Sequence, residues 1–197
     1  MLGAIIATAS AQTKDAPAQN VLRSADGTFE FRYPKLLVLC HPKDEHSASQ
    51  SDSCLSYIPI CSTGSETTLA CVAYPHAPYK NTNFNGAAFF VGEDSDAKTE
   101  KQCEHFDELT TDEKTTHWKT IGGVKFKVAS GGEGGLGHAM GEDVYRTFHN
   151  GKCYDLEVRI TEASFANFDP GTIREFKDSE KVSAELRSVL VSFRFLK

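Results

Sequence analysis

Residues 144–160 read VYRTFHNGKCYDLEVRI. Asn150-Gly151 sits between two alternating apolar and polar runs, the signature of a two-residue type I′ β-hairpin. The turn fixes the register: His149 lies opposite Lys152, Phe148 opposite Cys153, Thr147 opposite Tyr154, Arg146 opposite Asp155 and Tyr145 opposite Leu156. Side chains alternate between the faces of a strand. Tyr154, Leu156, Val158 and Ile160 therefore share the core face with Tyr145, Thr147 and His149, and Cys153 leaves on the other side. Arg146 and Asp155 meet as a cross-strand ion pair.

Further strands follow outward from this hairpin. Phe29, Phe31 and Tyr33 alternate with Thr28, Glu30 and Arg32, as in a half-buried strand. Leu36 to Cys40 offers a second strand, and Leu55 to Ile60 a short one interrupted by Pro59. Leu69 to Tyr74 and Ala87 to Val91 are apolar on both faces, as strands covered on both sides are. Val124, Phe126 and Val128 point inward, with Lys125 and Lys127 outward. Two helices are predicted. Thr99 and Gln102 make a capping box ahead of Cys103, Phe106 and Leu109, and Ser179 caps a stripe of Val182, Leu186, Val189, Leu190 and Phe193. The expected class is α+β: an α/β/α sandwich with a central, mainly antiparallel twisted sheet and helices on both faces.

The chain has 197 residues, with 21 Lys and Arg against 27 Asp and Glu, a formal charge of −6. That balance argues against a nucleic-acid footprint, which needs a basic patch. Hydrophobic content of 40% is too high for a disordered chain. The start, MLGAIIATASA, has a short apolar run and an Ala9-Ser10-Ala11 cleavage pattern, so residues 1–11 read as the remnant of a signal peptide. Residues 12–25 are polar and expected to be disordered, leaving 26–197 as one domain. No run reaches membrane-spanning length. Export to a secreted or periplasmic location, as a monomer, is the expectation.

The cysteines point the same way. Cys40, Cys54, Cys61, Cys71, Cys103 and Cys153 are even in number and contain no C-x-x-C, so disulfides are favoured over a zinc site. By order along the chain, Cys54 with Cys61 closes a short loop bracketed by Cys40 with Cys71, and Cys103 with Cys153 joins helix to strand; diagonal pairings stay open.

The segment Phe31-x-Tyr33-Pro34, the late pair of long strands, and a C-terminal helix running into Val191-Ser192-Phe193-Arg194-Phe195 resemble the PsbP and Mog-type α/β/α sandwich. Tyr145 to Tyr154 is similar to exported bacterial proteins of unassigned function. The resemblance implies a binding role without catalysis, since family members are mostly photosystem II extrinsic subunits, assembly factors, or binders of a small GTPase. The Cys-rich stretch from Cys40 to Cys71 departs from the plant proteins, so photosystem binding does not carry over.

Several clusters are candidates for chemistry. Gly132-Glu133-Gly134-Gly135-Leu136-Gly137 matches G-x-G-x-x-G, but no helix has room to follow it, so pyrophosphate would find no helix N-terminus. A mobile ligand or partner loop comprising Gly132, Glu133, Gly134, Gly135, Gly137 and His138 is expected instead, with the loop from His41 to Ser53 as a second contact surface. His138, Met140 and His149 would suit copper or zinc if the loop folded back. His41 and His46, beside Asp44 and Glu45, are a further candidate set. Glu133, Glu142 and Asp143 are candidate acid–base carboxylates. G-x-S-x-G and H-E-x-x-H are absent, and paired cysteines leave no nucleophilic thiolate. The sequence therefore predicts an exported, disulfide-stabilised, non-catalytic domain with no cofactor, binding a partner protein or small ligand. A periplasmic metal-binding protein and a small secreted hydrolase with a His and a carboxylate in one pocket are the alternatives.

Overall fold

A computed structural model describes residues 18–40, 52–62, 67–106 and 116–197. The strands are β1 (Gln19–Arg23), β2 (Phe29–Pro34), β3 (Val38–Cys40), β4 (Thr67–Ala73), β5 (Phe84–Asp94), β6 (His117–Ile121), β7 (Val124–Gly135), β8 (His138–His149), β9 (Lys152–Ala163) and β10 (Arg194–Phe195). Two α-helices accompany them among the described residues, α1 (Glu100–Cys103) and α2 (Ser179–Ser192). All strand pairs are antiparallel. Seven strands form one sheet in the order β3-β4-β5-β9-β8-β7-β6, and β1-β2-β10 form a second.

The α/β/α sandwich is therefore corrected. Only one face of the large sheet carries a long helix, and the small sheet shares that face with it. The Thr99 capping box does form, with the Thr99 side chain accepting from the Gln102 backbone N–H, but the helix it opens lasts four residues. Phe106 is buried without being helical. Leu109, the loop 41–51 with His41, Asp44, Glu45 and His46, and residues 1–17 lie outside the described residues. Within the segment expected to be disordered, residues 19–23 form β1, paired along β2 from Gln19↔Pro34 to Arg23↔Glu30.

The β8–β9 hairpin has the register its Asn-Gly turn dictates, from His149↔Lys152 through Tyr145↔Leu156. Asn150 and Gly151 both take positive φ, 50° and 80°, as a type I′ turn requires. The face carrying Tyr145, Tyr154, Leu156 and Val158 joins Phe29, Phe31, Phe89 and Phe126 in the main core. Val182, Leu186, Val189 and Leu190 of α2 are fully buried there, each side chain contributing about 2 kcal/mol by leaving water. Phe31 meets Phe89 edge-on, with centroids 5.1 Å apart.

The other face is closed by covalent staples. The bridges are Cys40–Cys54, Cys61–Cys71 and Cys103–Cys153, and no cysteine is free. The nested Cys40–Cys71 and Cys54–Cys61 arrangement is not the one formed. Cys40, Cys54, Cys61 and Cys71 cluster with Ile60 and Phe90, and Cys103 and Cys153 with Ala97 and Phe148. Between these clusters runs a file of buried charge: Asp155, Glu157 and Arg159 of β9 are each under 5% exposed. Arg146 reaches Asp155 at 2.8 Å, while Arg159 reaches Glu142 at 3.1 Å and also pairs with Glu157. No helix among the described residues is long and apolar enough to cross a membrane.

The small sheet has its own polar clasp. Glu30 on the middle strand accepts from Arg194 of β10, through Nε at 2.8 Å and through Nη2, and from Arg23 of β1 at 3.0 Å. The Arg194 bond, then the Arg23 bond, hold its carboxyl below the usual glutamate range. A depressed folded-state pKa contributes stability that is present above the unfolded value and lost as pH falls through the folded one. Urea titrations should find Glu30→Gln less stable than the parent at neutral pH, with the two converging in acid. A gap that stays constant down to acid would contradict the charge-based clasp.

Candidate functional site

The Gly-rich stretch is not a loop. Gly131 to Gly135 continue β7, and His138 to Gly141 begin β8, paired from Gly135↔His138 to Ser130↔Asp143. Leu136 and Gly137 make a second tight turn at φ 49° and 79°. Its tip is pinned, because Asn167 Nδ2 and the Ser164 backbone N–H both donate to the Gly137 carbonyl. Gly137 sits at positive φ, and a Cβ there would collide with the Asn167 side chain that pins the turn, so this position favours glycine on both counts. Gly132, Glu133, Gly134, Gly135, Gly137 and His138 therefore form an ordered hairpin end in place of the expected mobile loop.

That hairpin opens a groove. On the face toward α2, the strand positions after Ser130 and Asp143 are Gly132 paired with Gly141, then Gly134 paired with Ala139. Neighbouring β9 supplies Val158, Ile160 and Glu162 on the same face. With almost no side chains on β7 and β8 here, the sheet and α2 are not packed together. A groove of about 710 Å³ remains, walled by Ser179, Glu180, Ser183 and Arg187 of α2. A Cβ on Gly132 would meet the Met140 carbonyl oxygen at 2.7 Å, whereas one on Gly141 would meet nothing within 4 Å. Gly141 is thus bare floor without a steric need for glycine.

The groove ends are polar and organised. At one end Arg187 donates to Asp143 Oδ2 through Nε at 3.0 Å and Nη2 at 2.7 Å, and Ser130 Oγ donates to Oδ1 at 2.6 Å. Burial, reinforced by the Asp143 charge, pushes the Tyr145 phenol up. At the other end Asn83 donates to Glu162 at 3.0 Å, while its own amide oxygen accepts from the Phe176 backbone N–H. The Ser179 and Ser183 hydroxyls and the Glu180 carboxylate line the middle. Acceptors outnumber uncommitted donors there, so a ligand with hydroxyl or amine donors is the chemical match. Ala139 and Glu162 also border a shallower cavity of about 500 Å³ lined by Gly134, Gly135, Gly137, His138, Ser164 and Phe165.

The candidate metal residues do not converge. His138 and His149 are the two ends of twelve-residue β8, roughly 36 Å apart at the rise of a strand. They also leave opposite faces. His149 stacks on Phe195 at 4.0 Å, and His138 on Tyr57 at 4.2 Å. Met140 shares the His138 face, so a His138–Met140–His149 site is ruled out by strand geometry. His138 and Glu162 border the same cavity, yet strand alternation sends their side chains to opposite sides of the sheet. The candidate carboxylates separate as well: Asp143 faces the groove, Glu142 pairs with buried Arg159, and Glu133 is exposed on the outer part of β7. Sequence reasoning passed over Arg187, Ser130, Ser183 and Glu162. These residues come together only through the register that sets Gly132 opposite Gly141 and Gly134 opposite Ala139.

No protein-family profile and no curated protein matches the chain. Solved structures similar to it include the following two. One, from Bacteroides thetaiotaomicron VPI-5482, gives a TM-score of 0.44 and 11% identity over 90% of this chain and 48% of that one. The chain thus spans about half the length of that protein. The other is LpqN, involved in cell envelope biogenesis of Mycobacterium tuberculosis, with a TM-score of 0.46 and 8% identity over 91% of each chain.

Proposed function

We propose that this is an exported, disulfide-stabilised binding module that holds a small ligand rich in hydrogen-bond donors in the groove between α2 and the glycine-rich hairpin end, without catalysis. The observation that carries it is the bare floor at Gly132, Gly141 and Ala139. Elsewhere α2 is sealed onto the sheet by buried Val182, Leu186, Val189 and Leu190. Three formed disulfides with no thiol left over support export, since such bonds persist in oxidising compartments. The groove's serines have no histidine beside them to act as a base, and its one arginine is already committed to Asp143. Binding is the chemistry such a site performs most directly.

A panel of small polyols and amines, screened by amide chemical shifts, tests the reading. Shifts should map to Ser130, Gly141, Ser183 and Arg187. Gly141→Leu fills the floor without backbone strain, and should abolish those shifts at least tenfold in affinity while leaving the melting temperature near the parent's. Binding that maps elsewhere, or that is unchanged in Gly141→Leu, would overturn the assignment.

A further inference from the structure

The sulfur atoms of Cys40, Cys61 and Cys71 all lie within 4.8 Å of one another, although they belong to two different disulfides. Cys54 is bonded to Cys40, so four sulfurs form one buried group. Cys40 and Cys71 are also register partners across β3 and β4, on the same face. Directly paired residues of antiparallel strands have Cα separations of about 4.5–5.5 Å, inside the range a disulfide spans. The Cys40–Cys71 pairing therefore fits the backbone as it stands, and it leaves Cys54 and Cys61, in the same buried cluster, as the remaining pair.

We infer that Cys40, Cys54, Cys61 and Cys71 form a thiol-disulfide exchange unit, interconverting between Cys40–Cys54 with Cys61–Cys71 and Cys40–Cys71 with Cys54–Cys61. The entry point is Cys54, the most exposed of the four at 9%. A small-molecule thiolate attacks Cys54 Sγ; the Cys40–Cys54 bond breaks and its electron pair leaves on Cys40 Sγ. The Cys40 thiolate attacks Cys71 Sγ, forming Cys40–Cys71 and expelling Cys61 as thiolate. Cys61 then attacks the mixed disulfide on Cys54, forming Cys54–Cys61 and returning the original thiolate. Bond count and oxidation state are conserved, and the external thiol is a catalyst.

The two pairings differ in what they constrain. The first closes separations of 14 and 10 residues. The second staples β3 to β4 directly and ties the 54–61 segment into a small ring. That segment carries Tyr57, which stacks on His138, and Pro59, whose carbonyl accepts from buried Arg159 at 2.7 Å. Exchange is thereby coupled to the underside of the hairpin that forms the groove.

The test is disulfide mapping of the intact oxidised protein before and after incubation in a glutathione redox buffer, followed by acid quench. Trypsin and chymotrypsin cut at Lys43, Tyr57 and Leu69, which separates all four cysteines. Linked peptides for Cys40–Cys71 and Cys54–Cys61 should appear in equal amounts as the other pair declines, while Cys103–Cys153 stays constant. Recovery of Cys40–Cys54 and Cys61–Cys71 alone, with glutathione found on Cys54, would overturn the inference. A second protein, Cys54→Ser with Cys61→Ser, leaves Cys40 and Cys71 as the only unpaired cysteines. It should form the Cys40–Cys71 bond on oxidation; two persistent free thiols in a protein with the parent's circular dichroism would also overturn it.

Discussion

Arg159→Met is expected to lower unfolding free energy by about 3–5 kcal/mol, the range for removing one partner of a buried charge group. The side chain is 5% exposed and serves several acceptors at once. Nη2 pairs with Glu142 and Glu157, and Nη1 donates to the carbonyls of Pro59 and Ser62, both at 2.7 Å. Its guanidinium carbon also lies 5.5 Å from the centre of the Phe90 ring. Methionine fills much of the volume but removes the Arg159 charge from beside the buried Glu142 and Glu157 carboxylates. Adding Glu142→Gln to Arg159→Met should recover part of the loss, because one stranded charge is gone. The same substitution frees the 52–62 segment from its two carbonyl anchors, so cleavage by chymotrypsin at Tyr57 should accelerate. Denaturant midpoints decide the matter: a loss below 0.5 kcal/mol, typical of surface sites, would mean that water serves these groups in place of the arginine.

The buried charges also show where sequence reading stops. Asp155, Glu157 and Arg159 alternate with Leu156 and Val158, so strand alternation puts them on the face opposite the main core, and nothing local says what covers them. Arg159 is covered by the disulfide-bound 52–62 segment, far away in sequence, whose Pro59 and Ser62 carbonyls it meets, a tertiary fact with no local signature. The Asn-Gly hairpin was legible for the opposite reason: turn geometry and alternation are both local, and together they fix register. The glycine hairpin was not legible, since glycine carries no hydropathy to alternate and Leu136 occupies a left-handed position that few turns give to leucine. The Thr99 cap was correctly read as a helix start, but a cap specifies where a helix begins and not how long it lasts. The groove itself joins Ser130, Asp143 and Glu162 on three strands to Ser183 and Arg187 on α2, so its residue set exists only once the sheet is assembled.

Replacing both Cys103 and Cys153 with alanine is expected to cost about 4 kcal/mol, the largest loss among the three bridges. Most of a disulfide's effect is the loop-closure entropy it removes from the unfolded chain, which grows with the logarithm of the loop. The separation here is 50 residues, against 14 and 10 for the other two. The same relation gives about 3 kcal/mol for Cys61–Cys71. Position adds to length. Cys103 ends four-residue α1, too short to persist without tertiary support, and the loop it closes contains all of β6, β7 and β8. Both sulfurs are fully buried beside Ala97 and Phe148, so paired alanines avoid a stranded thiol and leave a small cavity. Urea unfolding of the three double-alanine proteins should rank Cys103/Cys153 as least stable. If the Cys61/Cys71 pair cost more, native-state packing around the four-sulfur group would outweigh chain entropy, and the stabilisation would have to be assigned to the folded layer under Phe90 instead of to the unfolded chain.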